Sequence, residues 1–296
     1  MPSNFIKKLK LKLLYFDNLL TPEMFRCDTE LCNMHRANIL ASAMYRNGIK
    51  FIRRDPNTER VLLRTKENLT IAIDNYWAIF HEIFCSNLYE MEHKHIKEPF
   101  AVFDLGMNRA YASLYFTQYD TCKVIYGYEP HPETFAFAKY NIDMNKDYLE
   151  SKKIKINAYD YGLGEKDATL QMFSINGRDG VSTISGCQNS AVSDKASKKA
   201  QSINVKICSV EKEFEKRFAE IEGMGLRKIL KIDVEGAEYG IFDALCKSGQ
   251  IKQFDLIIGE SHNGIEPIRT ELEANGFVME HIGGIGKRRD FLFVKA

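Results

Sequence analysis

The sequence predicts an α/β fold: a mostly parallel sheet with helices on both faces, preceded by an amino-terminal lobe of helix and short strands. Three observations predict it. After Pro99, apolar strand-like runs alternate with helix-like runs, the rhythm that builds a parallel sheet. Acids stand where three of those runs stop, at Asp104, Glu129 and Asp233, each followed within a few residues by glycine or proline. The last two apolar runs, Phe277-Val278-Met279 and Phe291-Leu292-Phe293-Val294, are joined through Gly283-Gly284-Ile285-Gly286. That connection suits a hairpin and puts one antiparallel strand near the end of the sheet.

Composition sets the outer bounds. The 296 residues allow one large domain or one domain with an added lobe, and a hydrophobic content of 45% is ordinary for a globular core. No apolar run approaches a membrane span. A net charge of +1 speaks against an electrostatic nucleic-acid binder. The seven cysteines are scattered without a Cys-x-x-Cys pair, which predicts reduced thiols and a cytoplasmic protein. The stretch Phe5 to Leu14 interleaves lysines with aliphatics and lacks a signal-peptide cleavage site. It could lie on the anionic inner face of a membrane; a basic helix packed on the domain is the favoured reading.

Residues 1–98 read as the lobe or cap, and residues 99–296 as the main domain. Leu31 to Tyr45 is helix-like. Ile49 to Ile52, Val61 to Leu63 and Leu69 to Ile73 read as short strands separated by turns at Asp55-Pro56-Asn57 and Lys66-Glu67-Asn68. Tyr76 to Glu92 reads as an amphipathic helix. In the main domain, Phe100 to Asp104 is the first strand and Arg109 to Tyr119 the first helix. Val124 to Glu129 is the second strand, and Pro132 opens a helix running to Asn145. Ile154 to Tyr159 is the third. Leu170 to Phe173 and Val205 to Ile207 form an extra pair. The polar segment between them, Asn176 to Ser202, exceeds ordinary connections and reads as a flap over the acceptor side or a disordered loop. Ser209 to Ile221 is helical. Ile229 to Val234 is the next strand, and Ala237 to Gly249 a helix with Tyr239, Ile241, Phe242 and Leu245 at helical spacing. Phe254 to Glu260 is the fifth strand, and Ile265 to Asn275 a helix that Gly276 ends.

The acids at the strand ends carry the chemical argument, because ligands of open α/β sheets bind there. Asp104-Leu105-Gly106-Met107-Asn108 follows the first strand, and its glycine permits close backbone approach. It lacks the three spaced glycines of a pyrophosphate cradle, so a nucleoside without phosphates fits better. Glu129 lies 25 residues beyond Asp104 and can accept both hydroxyls of a ribose; the plainer reading is a helix-start carboxylate. Asp233-Val234-Glu235-Gly236-Ala237-Glu238 puts two acids on a strand-to-helix turn. His262, at the end of the fifth strand, titrates near neutrality when unperturbed and is a ready general base.

Phe103 to Asn108, Tyr128-Glu129-Pro130-His131-Pro132, Tyr161-Gly162-Leu163-Gly164 and Ile232 to Glu238, in that order, resemble the FkbM-type S-adenosylmethionine-dependent methyltransferases over residues 70–296. The resemblance implies a class I methyltransferase, Rossmann-like sheet of seven strands and methyl transfer to an oxygen, commonly of a sugar or secondary metabolite. It implies that Asp104, Gly106 and Asn108 line the methionine end of S-adenosylmethionine. Glu129 would then bind its ribose, Tyr161 and Gly162 would lie beside adenine, and Asp233 would face its ammonium group or the acceptor. The chain departs from the family pattern in the first loop, which reads Met107-Asn108-Arg109-Ala110 where the family usually has Ala-Asn-x-Gly.

Methyl transfer to a hydroxyl needs alignment and a base near the methyl group. His262 is the expected base, Asp233 its partner and Glu235 the reserve. A divalent metal held by Asp233, Glu260 and Asn263 is the lower-ranked route. The leading expectation is an O-methyltransferase of a carbohydrate, such as a surface glycan. The alternatives are an O-methyltransferase of a small or lipid-linked hydroxyl compound and a non-catalytic cofactor-fold binding protein. A nucleic-acid acceptor is disfavoured, since no Asn-Pro-Pro-Tyr-like motif is present.

Overall fold

The computed structural model describes residues 39–58, 60–74, 77–175, 178–184 and 200–296. They fall into two units: the described residues up to Leu88 with Asp143–Tyr148, and Tyr89–Ile142 with Leu149–Ala296.

In the first unit, residues 39–46 are helical, and the earlier part of the expected Leu31 to Tyr45 helix lies outside the described residues. The three expected strands form an antiparallel meander, β1 (Lys50–Arg54), β2 (Val61–Arg64) and β3 (Thr70–Ile73). The Asp55 carboxylate shapes the first turn by accepting the Asn57 N–H at 3.1 Å and the Thr58 hydroxyl at 2.9 Å. Asn68 takes the left-handed conformation in the second turn. The Asn145 amide pairs with both backbone groups of Thr70, at 2.7 Å each. The helix expected from Tyr76 to Glu92 is shorter. It runs from Trp77 to Phe80 and continues as a wider π turn over His81–Cys85. The Ser86 N–H closes that turn on the His81 carbonyl, and Asn87 at φ +57° reverses the chain. Turn-forming Ser86-Asn87 outweighs the apolar spacing that continues beyond it.

The second unit holds a seven-stranded sheet and a four-stranded one. The strands in chain order are β4 (Phe100–Leu105), β5 (Cys122–Tyr128), β6 (Lys155–Tyr159), β7 (Gly162–Gly164), β8 (Ala168–Ile175), β9 (Arg178–Ile184), β10 (Ala200–Ser209), β11 (Arg227–Ile232), β12 (Leu256–Ser261), β13 (Phe277–Ile282) and β14 (Arg289–Lys295). The large sheet has the order β13-β14-β12-β11-β4-β5-β6. Strands β12, β11, β4, β5 and β6 are parallel to their neighbours in that series, and β14 is antiparallel to both β12 and β13. This is the seven-stranded, mostly parallel sheet expected, with its hairpin at one edge. Every residue of β4 and β12 is buried, as parallel strands covered on both faces require.

The second sheet, ordered β7-β10-β8-β9, contains the expected extra pair: β8 and β10 are antiparallel from Ala168↔Ile207 to Ile175↔Ala200. Part of the polar segment expected as a flap is strand instead, because β9 adds to β8. Residues 176–177 and 185–199 of that segment lie outside the described residues.

Under the large sheet, Phe103 of β4 meets Phe214 and Phe218 of the helix Val210–Glu220 and Phe254 before β12. The four ring centroids are 5.0–5.6 Å apart, mostly edge-to-face. Truncating one such ring costs about 3–5 kcal/mol. Among the described residues no helix is long and apolar enough to cross a membrane. The described cysteines, Cys85, Cys122, Cys208 and Cys246, are free thiols.

Candidate active site

Two backbone contacts join the loops that leave β4 and β11. The Asp233 N–H donates to the Leu105 carbonyl at 3.1 Å. Gly106, at φ +75°, lies so close to Asp233 that a Cβ would sit 1.9 Å from the Asp233 carbonyl oxygen. Only glycine permits that approach. Lys231 reinforces the joint from below. Its ammonium lies 3.0 Å from the Asp104 carboxylate and donates to the Gly106 carbonyl at 2.7 Å. Asp104 is fully enclosed, and its second oxygen accepts the Ser113 hydroxyl at 2.6 Å. Burial works against charge on Lys231, but Asp104, then Asp233 and Glu260, hold its pKa above the ordinary lysine value.

The first loop is strained in a definite way. Gly106, Asn108 and Ala110 all have positive φ, at +75°, +52° and +62°. The Asn108 side-chain oxygen accepts the Arg109 N–H at 2.8 Å and the Arg109 guanidinium at 3.0 Å. Left-handed Ala110 ends the loop and starts the helix Tyr111–Phe116, two residues later than the apolar pattern begins. Met107 turns into the core, where the bare Cα of Gly127 makes room: a Cβ at Gly127 would meet its sulfur at 2.3 Å.

Glu129 stands just beyond β5. One carboxylate oxygen accepts the Asn108 N–H at 3.0 Å and the other the His131 N–H at 2.9 Å. Burial outweighs these bonds and pushes its pKa up to about 7. Gly106, Asn108, Tyr128, Glu129 and Pro130 form one side of a cleft with about 660 Å³ of empty space. Gly162, Leu163, Met172 and Ile207, from the second sheet and its approach, add an apolar lining, and Asp233, Val234, Glu235 and Ala237 line it beside Gly106.

Beside that lining three carboxylates gather around one imidazole. His262 Nδ1 is 2.6 Å from Glu238 Oε1; its Nε2 is 3.3 Å from Glu235 and 3.8 Å from Asp233. Glu238 is fully buried in the first turn of the helix Glu238–Ser248, and it also accepts the Gly236 N–H at 3.1 Å. The loop wraps around it because Glu235 and Gly236 take positive φ, +52° and +109°. Glu260 is held by Arg288 at 2.5 Å. Burial acts to lower the pKa of His262, yet the bond to Glu238 and the charges of Glu238, Glu235 and Asp233 raise it to about 9. Burial and the neighbouring Asp233 raise Glu235 to about 7, against His262 and Arg288.

The profile of the family described as Methyltransferase FkbM domain matches residues 104–279, more than half of the chain. The chain belongs to the FkbM methyltransferase family. This FkbM methyltransferase is S-adenosylmethionine-dependent, and it carries a seven-stranded, mostly parallel sheet. No curated protein matches it. Among solved structures, it is similar to the methyltransferase FkbM from Methylobacillus flagellatus KT, with 10% identity over 95% of this chain and a TM-score of 0.41. It is also similar to the ribosomal protein L11 methylase from Lactobacillus delbrueckii subsp. bulgaricus, with 11% identity, 69% of this chain, 74% of that chain and a TM-score of 0.35. A third is M. capricolum TrmK in complex with S-adenosyl-homocysteine, with 14% identity, 68% of this chain and a TM-score of 0.35. The chain spans 58% of the Methylobacillus chain and 65% of the M. capricolum one.

The cleft of this FkbM methyltransferase suits a nucleoside cofactor. Each Glu129 oxygen accepts one backbone N–H and keeps a lone pair for a hydroxyl. Of the residues expected there, Gly106, Asn108, Glu129, Gly162, Asp233 and Glu235 line it together. Three are placed otherwise. Asp104 is enclosed with Lys231 and Ser113. The Tyr161 hydroxyl donates to Glu213 at 2.9 Å, and its ring packs against Tyr128 and Tyr159, away from the lining. His262 is not among the lining residues, and the three carboxylates around its buried ring raise its pKa to about 9. Asn263 uses its backbone N–H on the Tyr239 hydroxyl, and Glu260 is taken by Arg288. Sequence reasoning passed over Lys231, Glu238 and Arg288. The signal for Glu238 was present, an acid in the first turn of the helix after the two-acid turn.

Proposed function

We propose that this methyltransferase methylates a hydroxyl oxygen of a sugar, as part of a surface glycan or a related lipid-linked saccharide. The supporting observation is the pair of carboxylates, Asp233 and Glu235, that line the same cleft as Glu129. Glu235 is the base. It reaches the cleft where His262 does not, and its carboxylate is backed by that ring at 3.3 Å. Asp233 orients the acceptor by accepting a second hydroxyl, a role that suits a polyol. Glu129 holds the cofactor's ribose, Gly106 and Asn108 its methionine end, and Gly162 gives its base a flat approach.

Bound S-adenosylmethionine supplies an electrophilic methyl group: an O–CH₃ bond replaces O–H, the S–CH₃ bond breaks, and the pair stays on sulfur. The chain's residues do the rest. Glu235 takes the hydroxyl proton and returns it to solvent. The apolar wall of Leu163, Met172 and Ile207 keeps water from the nucleoside half. Residues 99–296 are read as the catalytic domain and 1–98 as its lobe. The lysines interleaved with aliphatics from Phe5 to Leu14 support peripheral contact at an anionic membrane, where lipid-linked saccharides are presented.

The test is product analysis. The protein is incubated with S-adenosylmethionine and separate panels of sugars, lipid-linked saccharides, hydroxylated metabolites and tRNA, and products are located by mass spectrometry. A methyl ether on a sugar oxygen is expected. Methylation of a ring nitrogen in tRNA, or of none of the hydroxyl compounds, overturns the reading.

A further inference from the structure

Three buried atoms at the acid end of the cleft have no hydrogen-bond partner: Asp233 Oδ1, Glu238 Oε2 and His262 Nε2. An unmade hydrogen bond on a buried polar atom costs about 1–3 kcal/mol, and more when the group is charged. Three on adjoining residues need a common explanation. The same residues can each offer one ligand atom such that all lie within 4.8 Å of one another. The Glu238 side chain is wholly buried and that of His262 is 6% exposed, so water does not stand in freely for the missing partner.

We infer that Asp233 and His262, with Glu238 orienting the imidazole from its Nδ1 side, form a binding site for one divalent transition-metal cation, of the Mn²⁺ or Zn²⁺ class, at the acceptor end of the cleft. The donor set selects the class: one imidazole nitrogen with carboxylate oxygens suits these ions, whereas Mg²⁺ prefers oxygen and water alone. The geometry is close to ready. Ligands about 2.1 Å from a metal lie about 3.0–3.4 Å from one another, by simple octahedral or tetrahedral geometry. His262 Nε2 and Asp233 Oδ1 are 3.8 Å apart, and Glu235 lies 3.3 Å from the same nitrogen. Closing the first gap by a few tenths of an ångström completes an edge. Glu238 serves the imidazole as well, since His262 Nδ1 at 2.6 Å from its Oε1 fixes the ring with Nε2 toward Asp233. Metal-bound histidines are oriented by such carboxylates. The support is rigid. Glu238 Oε1 also accepts the backbone N–H groups of Val234 and Gly236, at 3.4 and 3.1 Å. Neighbouring Glu260 takes no part, because Arg288 occupies it at 2.5 Å.

The inference builds on the reading of this end as the acceptor side and gives it a partner. A cation here takes the acceptor hydroxyl oxygen as a further ligand and weakens its O–H bond. The proton then passes to Glu235 and the oxygen's lone pair is freed for the methyl carbon. The charges of Asp233 and Glu238 balance one divalent cation, which leaves a near-neutral site that suits a neutral polyol.

The experiment is a metal titration of the tag-free full chain, stripped with a chelator and checked by thermal melting to be folded. It is titrated with Co²⁺, read by absorption, and with Mn²⁺, read by paramagnetic resonance. The expected result is one equivalent with an oxygen and nitrogen spectrum and no thiolate band. His262→Gln and Asp233→Asn should abolish it, and Glu238→Gln should weaken it by about 10–100-fold. Asp243→Asn, an exposed partner of Lys247, should leave it unchanged. A folded wild-type chain that binds no ion at millimolar concentration overturns the inference, as does binding that survives His262→Gln or shows thiolate ligation. The two proposals fail separately. Sugar methylation by a metal-free chain sinks the cation site and leaves the activity standing. Stoichiometric binding with no methylated hydroxyl does the reverse.

Discussion

Glu129→Gln tests the cofactor half of the cleft in isolation. In the wild-type chain both carboxylate oxygens accept a backbone N–H, at 3.0 and 2.9 Å, and the remaining lone pairs face the cleft. Glutamine keeps one oxygen and turns an NH₂ toward the other N–H, so a charged acceptor is lost and a donor meets a donor. A hydrogen bond to a charged group contributes about 1.5–3 kcal/mol, so S-adenosylhomocysteine should bind about 10–150-fold more weakly. The pH dependence follows from the same group. Burial holds the free enzyme's Glu129 near 7, whereas the ribose hydroxyls are donors to the ionised form. Affinity should therefore rise with pH up to about 7 and level off above it, with proton release on binding at neutral pH. The sign for stability is opposite. A carboxyl whose folded pKa is raised contributes stability below its ordinary value of 4.5, and that contribution is lost as pH rises toward 7. Calorimetry in two buffers of different ionisation enthalpy measures affinity and proton release together. Unchanged affinity in Glu129→Gln, or a wild-type affinity flat from pH 5.5 to 8, would refute the reasoning.

Glu235→Gln should lower the turnover rate by about 10²–10⁴-fold while leaving S-adenosylhomocysteine affinity nearly constant; near-native turnover would remove it as the base. Lys231→Met should destabilise the fold by about 3–5 kcal/mol in denaturant, because Asp104 is left charged and enclosed. The double variant Lys231→Met, Asp104→Asn should recover part of that loss, and purely additive losses would deny the pairing. Ala110→Gly should stabilise the chain by about 0.5–1 kcal/mol, since a left-handed alanine costs about 1–2 kcal/mol and glycine's extra chain entropy returns part of it; a lower melting temperature would show that the buried methyl matters more than φ.

The strands of the large sheet were legible because parallel strands must be continuous apolar runs, and such runs mark the strands at Phe100–Leu105, Arg227–Ile232 and Leu256–Ser261, while their order came only with the structure. The strand-end acids were legible for the same reason, since a strand's limit locates its loop. The fate of each acid was not. Asp104 and Asp233 both follow or end an apolar run, yet one is sealed against Lys231 and the other lines the cleft, and only the β4–β11 register decides it. Lys231 reads in sequence as a strand's solvent-facing residue, while its partner is 127 positions earlier. His262 was placed correctly on the strand beside Asp233, but its protonation depends on Glu238, whose side chain turns back under the loop. The short helix at Trp77–Phe80 shows the local counterpart: apolar spacing ran on past Ser86-Asn87, and turn chemistry stopped the helix first.

The cofactor loop and the acid loop behave as one part for a physical reason. Gly106 packs on the Asp233 carbonyl, Asp233 donates to Leu105, and Lys231 ties Asp104 and the Gly106 carbonyl to β11. Moving either loop by an ångström breaks a hydrogen bond or exposes a buried charge pair. The reacting groups must be held to about 0.5 Å, and loops alone rarely supply that. Here the strain of three left-handed residues in five, Gly106, Asn108 and Ala110, is balanced by the burial of the pair beneath them. The spacing between the loop at Gly106 and the loop at Asp233 is therefore set by the β4–β11 register and not by side-chain choice.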